Sequence, residues 1–325
     1  MAKFKMNKEI FYYAALYKFV ELSNLKNIKE QLYELCDQNN VLGTILIAKE
    51  GLNGTICSNY KNINNFINLL KAKKKFNDID VKFSKSNSNG FNRLKVKIKN
   101  EIVTIGEKDI NPNKLVGEYV SAKEWNELLN KKNIVLIDTR NSYETSIGSF
   151  PNTVIPNTNS FRNFPEWAKK FSEKVSKDTE IAMFCTGGIR CEKASSYMKK
   201  IGYDKVYHLK GGILKYFEET PEKDNKWNGE CFVFDKRVSV DKNLEKGNYS
   251  QCFACKMPIT NDDIINEKYM EGVSCPKCWD KTTSKQKMRF SQRQKQIELS
   301  KENKLEHIGQ NTPSYKKFLD LNNKN

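Results

Sequence analysis

The sequence predicts an α/β protein in three parts, and three observations carry that reading. Residues 1–112 run strand, helix, strand, strand, helix, strand; residues 113–225 alternate short apolar strands with helices; residues 226–325 hold two Cys-x2-Cys pairs and then a basic segment. These patterns give, in turn, a ferredoxin-like (acylphosphatase-like) α+β domain, an α/β domain with a mainly parallel sheet, and a zinc-ribbon-like region with a basic helix. A chain of 325 residues is long enough for two or three separate cores.

In the first part, "IFYYAALYKFV" reads as a strand, and "NLKNIKEQLYELCDQN" places apolar residues at helical spacing. "VLGTILIAKEGLNGTICS" reads as two strands around a Gly/Asn turn, "INNFINLLKAKK" as a second amphipathic helix and "IDVKFSKS" as a fourth strand. "RLKVKIKNEIVTIG" adds a strand pair leading out. In the second part, Ser121 is the expected N-cap of "SAKEWNELLN", with Glu124 at capping-box spacing. The strand "IVLIDTR", a helix around "FPEWAKKFSEKV", the strand "IAMFC", a helix from Cys191, the strand "KVYHL" and the helix "GGILKYFEE" follow. Short buried strands separated by helices argue for parallel pairing, and in such sheets ligands bind beyond the carboxyl ends of the strands. Cys185 stands at one of those ends.

Lys and Arg number 56 against 39 Asp and Glu, a formal charge of +17. That balance fits a polyanionic partner such as nucleic acid or a membrane surface. It fits equally a chain crowded with Lys and Asn whose cations are simply solvated. No stretch approaches the roughly 18 apolar residues of a membrane span, and the N-terminal "MAKFKMNKEIFYYAALYKFV" has no small-residue cleavage pattern. The expectation is therefore a cytoplasmic protein whose nine cysteines stay reduced, serving metal or chemistry rather than disulfides. The chain carries no dinucleotide G-x-G-x-x-G fingerprint, no haem Cys-x-x-Cys-His and no flavin motif. Its two histidines, His208 and His307, lie in different regions and make a poor pair for an iron site.

The stretch "IAMFCTGGIRCEKASSYM" carries the chemistry. Gly187 and Gly188 permit backbone angles that turn successive N–H groups to one concave side, within a loop completed by Thr186 and Ile189. The following helix adds its free amides and the positive end of its dipole. Such a nest stabilises an anion, here a thiolate on Cys185, with Arg190 lowering its pKa further. Cysteine phosphatases space Cys and Arg by five residues around a phosphate. The interval from Cys185 to Arg190 is one residue tighter and suits the single outer sulfur of a persulfide.

"IDTR", "CTGGIR" and "VYHLKGGI" together resemble a rhodanese domain. Joined to "GTILIAKEGLNGTI" before them and "EGVSCPKC" after them, they resemble the bacterial rhodanese-like tRNA uridine hydroxylase family (TrhO) over roughly residues 10 to 300. That resemblance implies hydroxylation at carbon 5 of the wobble uridine, position 34, with molecular oxygen as co-substrate and the anticodon arm of tRNA as partner. It also implies that Cys185 is the active-site residue.

Around this centre, Cys191 reads as packing at the helix start, with resolution of a persulfide or disulfide on Cys185 as the alternative. Asp138 and Arg140 match the rhodanese D-x-R, with Arg140 and Glu144 expected to form a structural ion pair. His208 reads as a satisfied core histidine, and Arg162 in "FRNFPEW" as a candidate phosphate contact. Further on, "CFAC" (Cys252, Cys255) and "CPKC" (Cys275, Cys278) are separated by 19 residues, the spacing of a zinc ribbon. Four cysteines close a tetrahedral site, so the metal expected there is structural zinc; two redox dithiols are the competing reading. The helix-compatible "KQKMRFSQRQKQIELSKENK" brings Lys287, Arg289, Arg293 and Lys295 together as candidates for tRNA contact, against a plain solvated helix. The tail "LDLNNKN" reads as disordered. Three functions remain in competition: a tRNA uridine hydroxylase, a persulfide sulfurtransferase using the same cysteine, and a zinc-ribbon RNA-binding protein without catalysis.

Overall fold

Both helices of the first βαββαβ run begin at an asparagine cap and bury one stripe. Asn24 and Asn59 accept hydrogen bonds from the amides of Asn27 and Asn62, at 3.4 and 2.9 Å. The computed structural model describes residues 10–87, 89–235 and 237–302, in two compact units that divide between Val103 and Thr104. The first unit contains β1 (Phe11–Phe19), α1 (Leu25–Gln38), β2 (Leu42–Ala48), β3 (Gly51–Ser58), α2 (Tyr60–Lys71), β4 (Asp80–Ser86) and β5 (Leu94–Ile98). The sheet order is β4-β1-β3-β2-β5. The first four strands pair antiparallel in three neighbouring pairs, the ferredoxin-like arrangement, and β5 joins β2 in parallel. α2 covers the sheet with Ile63, Phe66, Ile67 and Leu70, a stripe at helical spacing.

Two local expectations change here. The turn between β2 and β3 falls on Lys49 and Glu50, leaving the Gly and Asn of "GLNG" inside β3. The outgoing strand pair is one strand, because the backbone of Ile102 is satisfied by side chains. Its N–H donates to Glu50 Oε1 at 2.6 Å and its carbonyl accepts from Asn53 Nδ2 at 2.9 Å, so no ladder is needed.

The second unit begins with β6 (Glu118–Val120), α3 (Ala122–Leu128), β7 (Ile134–Asp138), α4 (Ser142–Thr145), β8 (Gly148–Ser149), β9 (Thr153–Val154), α5 (Phe164–Ser172), β10 (Glu180–Phe184), α6 (Ile189–Lys200), β11 (Val206–Leu209) and α7 (Gly212–Glu219). Its sheet runs β6-β11-β10-β7-β9 with every pair parallel. Ser121 and Glu124 form the expected capping box on α3. Ile181 to Phe184 on the central strand are sealed on both faces, which is why "IAMF" is uniformly apolar rather than alternating.

The chain then continues through β12 (Asn228–Gly229), β13 (Cys231–Phe232), β14 (Ser239–Val240), β15 (Ser250–Gln251), β16 (Pro258–Ile259), α8 (Asn261–Ile265) and α9 (Ser284–Glu302). β12 pairs with β8, and Trp227, Cys231, Val233 and Val240 enter the core that holds Phe150, Phe184 and Leu209. A separate small core gathers Ile259 with Cys252, Cys275 and Cys278. No helix among the described residues is long and apolar enough to cross a membrane.

Candidate active site

β10 ends at Phe184 and α6 starts at Ile189, so the four residues between them form a tight turn at the carboxyl edge of the sheet. Cys185 is fully buried at its base. The amide of Gly188 donates to Cys185 Sγ at 3.1 Å, and the amides of Arg190 and Cys191 add to it. Gly188 has φ +95°, the left-handed side of backbone space that glycine enters freely. Gly187 has no positive φ, and a Cβ there would meet open space. Only one of the two loop glycines is therefore required by the backbone.

Amides that converge on a sulfur leave carbonyls pointing away from it, and those need partners. α7 supplies them. The amide of Ile213 donates to the Cys185 carbonyl at 3.0 Å and that of Leu214 to the Thr186 carbonyl at 3.1 Å. The two helix starts thus divide the work: α6 serves the thiol and α7 holds the loop.

Burial alone would push the Cys185 thiol up. The Cys191 thiol, the Arg190 charge and the loop amides outweigh it and bring the pKa down to about 5. Cys191, buried against it, is pushed well above the ordinary thiol value by burial and by its neighbour. Cys191 Sγ also lies 3.6 Å from Thr139 Oγ1. At neutral pH the pair is one thiolate and one thiol, with Cys191 as the donor.

Arg190 is held by Glu144 through two charged hydrogen bonds, Nη1–Oε2 at 2.6 Å and Nη2–Oε1 at 2.7 Å. This corrects the expected pairing of Glu144 with Arg140. Arg140 instead grips Asp138, with Nε–Oδ1 at 2.9 Å and Nη2–Oδ2 at 2.6 Å, and lies 4.9 Å from the centre of the Trp227 ring. The reason is local. Asp138 ends β7 two residues before Arg140, whose own amide donates to the same carboxylate, so the near partner wins. Glu144 sits at the third position of α4, and its carboxylate faces Thr186 Oγ1 as well as Arg190. Sequence reasoning missed Glu144 as the partner of Arg190. The signal was present in "NSYE", an Asn-x-x-Glu spacing in which the Glu144 carboxylate accepts from the Asn141 amide at 3.1 Å. It also missed how closely the "KGG" turn approaches the loop.

Residues 11–102 match the UPF0176 acylphosphatase-like domain, and residues 121–219 match the rhodanese-like domain. The chain is 48% identical to a tRNA uridine(34) hydroxylase of Agrobacterium fabrum over 299 residues, which is 92% of this chain and 95% of that protein. The chain belongs to the tRNA uridine(34) hydroxylase family. Among solved structures it is similar to a rhodanese-like domain from Anabaena sp. (TM-score 0.29, 15% identity, 35% of this chain and 80% of that one). It is similar also to a human single-domain sulfurtransferase (TM-score 0.28, 21% identity, 32% and 99%).

In this member of the hydroxylase family, the remaining expected residues are placed as follows. His208 is buried, its Nε2 lies 3.2 Å from the Gly117 carbonyl, and burial lowers its pKa to about 4. It is a neutral core histidine. His307 lies outside the described residues, as does the tail "LDLNNKN". Arg162 is exposed in a short 3-10 turn before α5.

The four ribbon cysteines come together, with all four sulfurs within 4.8 Å of one another. Cys252–Cys278 is 4.0 Å, while Cys255–Cys275 and Cys275–Cys278 are 3.8 Å. A tetrahedron of thiolates at the usual zinc–sulfur distance has edges of ~3.8 Å. The donor set and its dimensions fit a metal ion. Of the four candidate cations on α9, three contact a neighbour, Arg289 through the Phe290 ring at 5.5 Å. Lys287 Nζ sits 3.5 Å from the centre of the Trp279 ring, and Arg293 Nη2 donates to the carbonyls of Phe253 and Gly272 at 3.1 and 2.9 Å. Arg289 and Lys295 are exposed.

Proposed function

We propose that this chain hydroxylates carbon 5 of the wobble uridine of tRNA, with molecular oxygen as co-substrate and Cys185 as the catalytic residue. The observation that carries the reading is a buried thiolate, assembled by two helix starts and an arginine, in a chain of the uridine(34) hydroxylase family. Arg190 holds the negative charge on sulfur, and Thr186, Gly187, Gly188 and Ile189 form the loop that aims the amides. Cys191 donates to the thiolate, and Asp138 with Arg140 braces the strand end beside it, Arg140 donating to the Glu144 and Gly148 carbonyls. Zinc held by Cys252, Cys255, Cys275 and Cys278 would be structural, since four protein thiolates leave no open position. Arg289 and Lys295, both exposed on α9, are candidates to meet the phosphates of an anticodon arm, and a cytoplasmic location fits that substrate.

The test is mass spectrometry of tRNA nucleosides from a deletion strain complemented with wild type or Cys185→Ala. 5-Hydroxyuridine should return with wild type alone. Its presence at full level in cells complemented by Cys185→Ala would overturn the role of Cys185. The tight interval from Cys185 to Arg190 also favours a second reading, sulfur transfer through a Cys185 persulfide. That reading requires sulfur release from thiosulfate or a protein persulfide to a thiophile, lost in Cys185→Ala, with tRNA nucleosides unchanged by deletion.

A further inference from the structure

We propose that Phe234 is a stacking platform for the pyrimidine ring of the target nucleotide; this rests on the hydroxylase reading. β13 carries Phe232 and leads into the turn toward β14. Phe232 and Val233 are buried, whereas Phe234 is 59% exposed. One residue beyond two buried ones, this large apolar ring is open to solvent and so available to a flat partner.

The ring is placed beside the active site. Its centre lies 6.0 Å from the Arg190 guanidinium carbon, the group whose charge lowers the Cys185 pKa. It also meets Phe232 edge-on at 5.3 Å, and Phe232 meets Tyr143 at 5.2 Å. Tyr143 precedes Glu144 on α4, so the aromatic row is continuous with the ion pair that holds the loop.

The described residues on either side of the ring are tied by hydrogen bonds. Arg237 clamps Asp235 through its own amide at 2.9 Å and through its guanidinium at 3.0 and 2.6 Å. The amide of Val233 donates to Val238 O at 2.9 Å, and that of Val238 to Asp235 O at 3.1 Å. Val238 has φ +68°, a region that a β-branched residue rarely enters. These bonds hold the described residues that flank Phe234, and the ring stays beside Arg190.

Nucleobases stack on exposed aromatic rings once they leave their own stack, as bases in a single-stranded loop readily do. A uridine splayed from the anticodon loop presents such a face. Stacked on Phe234, it would be held flat beside the Cys185 loop while phosphate contacts hold the rest of the arm.

The test uses the full chain and two anticodon stem-loops, one with uridine at position 34 and one abasic there. Wild type and Phe234→Trp should bind the intact loop about ten-fold more tightly than the abasic one. Phe234→Leu and Phe234→Ala should bind both loops within about two-fold. The alkylation rate of Cys185 should be the same in all four proteins, a readout that a collapsed loop would move. Full discrimination against the abasic loop in the Leu and Ala variants, or none in wild type, overturns the platform. Hydroxylation by wild type is measured separately: its absence would sink the hydroxylase reading, while the binding comparison still decides the role of Phe234.

Discussion

Arg190 and Glu144 face each other fork to fork, at 2.6 and 2.7 Å, with the carboxylate wholly out of water and the guanidinium nearly so. Charge desolvation is offset only while both partners are present. Burial pulls the Glu144 carboxyl up, but Arg190 outweighs it and holds the group below its ordinary range.

Glu144→Ala should therefore destabilise the second unit by about 3–5 kcal/mol, the cost of leaving a buried charge unpaired. A carboxyl with a depressed folded pKa contributes stability that is fully present above its unfolded value of about 4.3, and that is lost as pH falls through the folded value. Melting curves between pH 6 and pH 3 should show wild type losing more than Glu144→Gln. Parallel curves would show that the pair contributes nothing.

The Cys185 thiolate predicts a second pH dependence. With its pKa at about 5, alkylation by iodoacetamide should be half-maximal near that pH and flat above it. Between there and an unfolded thiol value of about 8.5, only the unfolded chain binds the proton, so this group adds stability as pH rises through the window. Replacing Arg190 with Met removes the counter-charge and should move the alkylation midpoint upward. An unmoved midpoint would leave the amides and Cys191 as the whole cause.

Much of this site is readable from the chain because the loop is local: Cys185, Gly188 and Arg190 lie within six residues, and their spacing fixes the nest. The ferredoxin-like order and the parallel sheet are legible for a similar reason, since periodicity and capping act over single elements. What the chain does not display is which distant carboxylate reaches Arg190, or which helix takes the loop carbonyls. Glu144 and Gly212 arrive through the sheet order β11-β10-β7, which brings the ends of three strands together. Long-range pairing of this type has no sequence period.

Gly212 gives the sharpest case. It has φ +69°, and a Cβ there would lie 2.5 Å from the Cys185 carbonyl oxygen and 2.7 Å from both the Gly188 nitrogen and the Thr186 oxygen. Gly212→Ala must push α7 off the loop, and should abolish the low thiol pKa together with activity. Gly187→Ala meets open space and should keep the thiol pKa, as alkylation against pH would report for each variant. Equal damage from the two substitutions would contradict the division of labour between α6 and α7.

The four-cysteine cluster predicts one zinc per chain in protein purified without chelator. Cys255→Ser should reduce the bound metal to less than half an equivalent and melt the small core around Ile259. The central sheet draws its core from other residues and should survive, with Cys185 alkylation unchanged. Less than half an equivalent of zinc in the wild-type chain would favour the dithiol reading of these pairs.

Charge on α9 can be separated into holding and binding. Arg293 bonds two backbone carbonyls of the ribbon, so reversing it should damage the fold rather than report on tRNA. Arg289 and Lys295 are exposed, and each phosphate neutralised by such a cation releases counterions. The double variant Arg289→Glu, Lys295→Glu should weaken anticodon-arm binding. It should also flatten the plot of log affinity against log salt by about 0.7–0.9 for each phosphate no longer neutralised. Melting and zinc content should match wild type, which separates weaker phosphate binding from a damaged fold. An unchanged salt slope would remove α9 from the tRNA interface and assign the basic surface elsewhere on the chain.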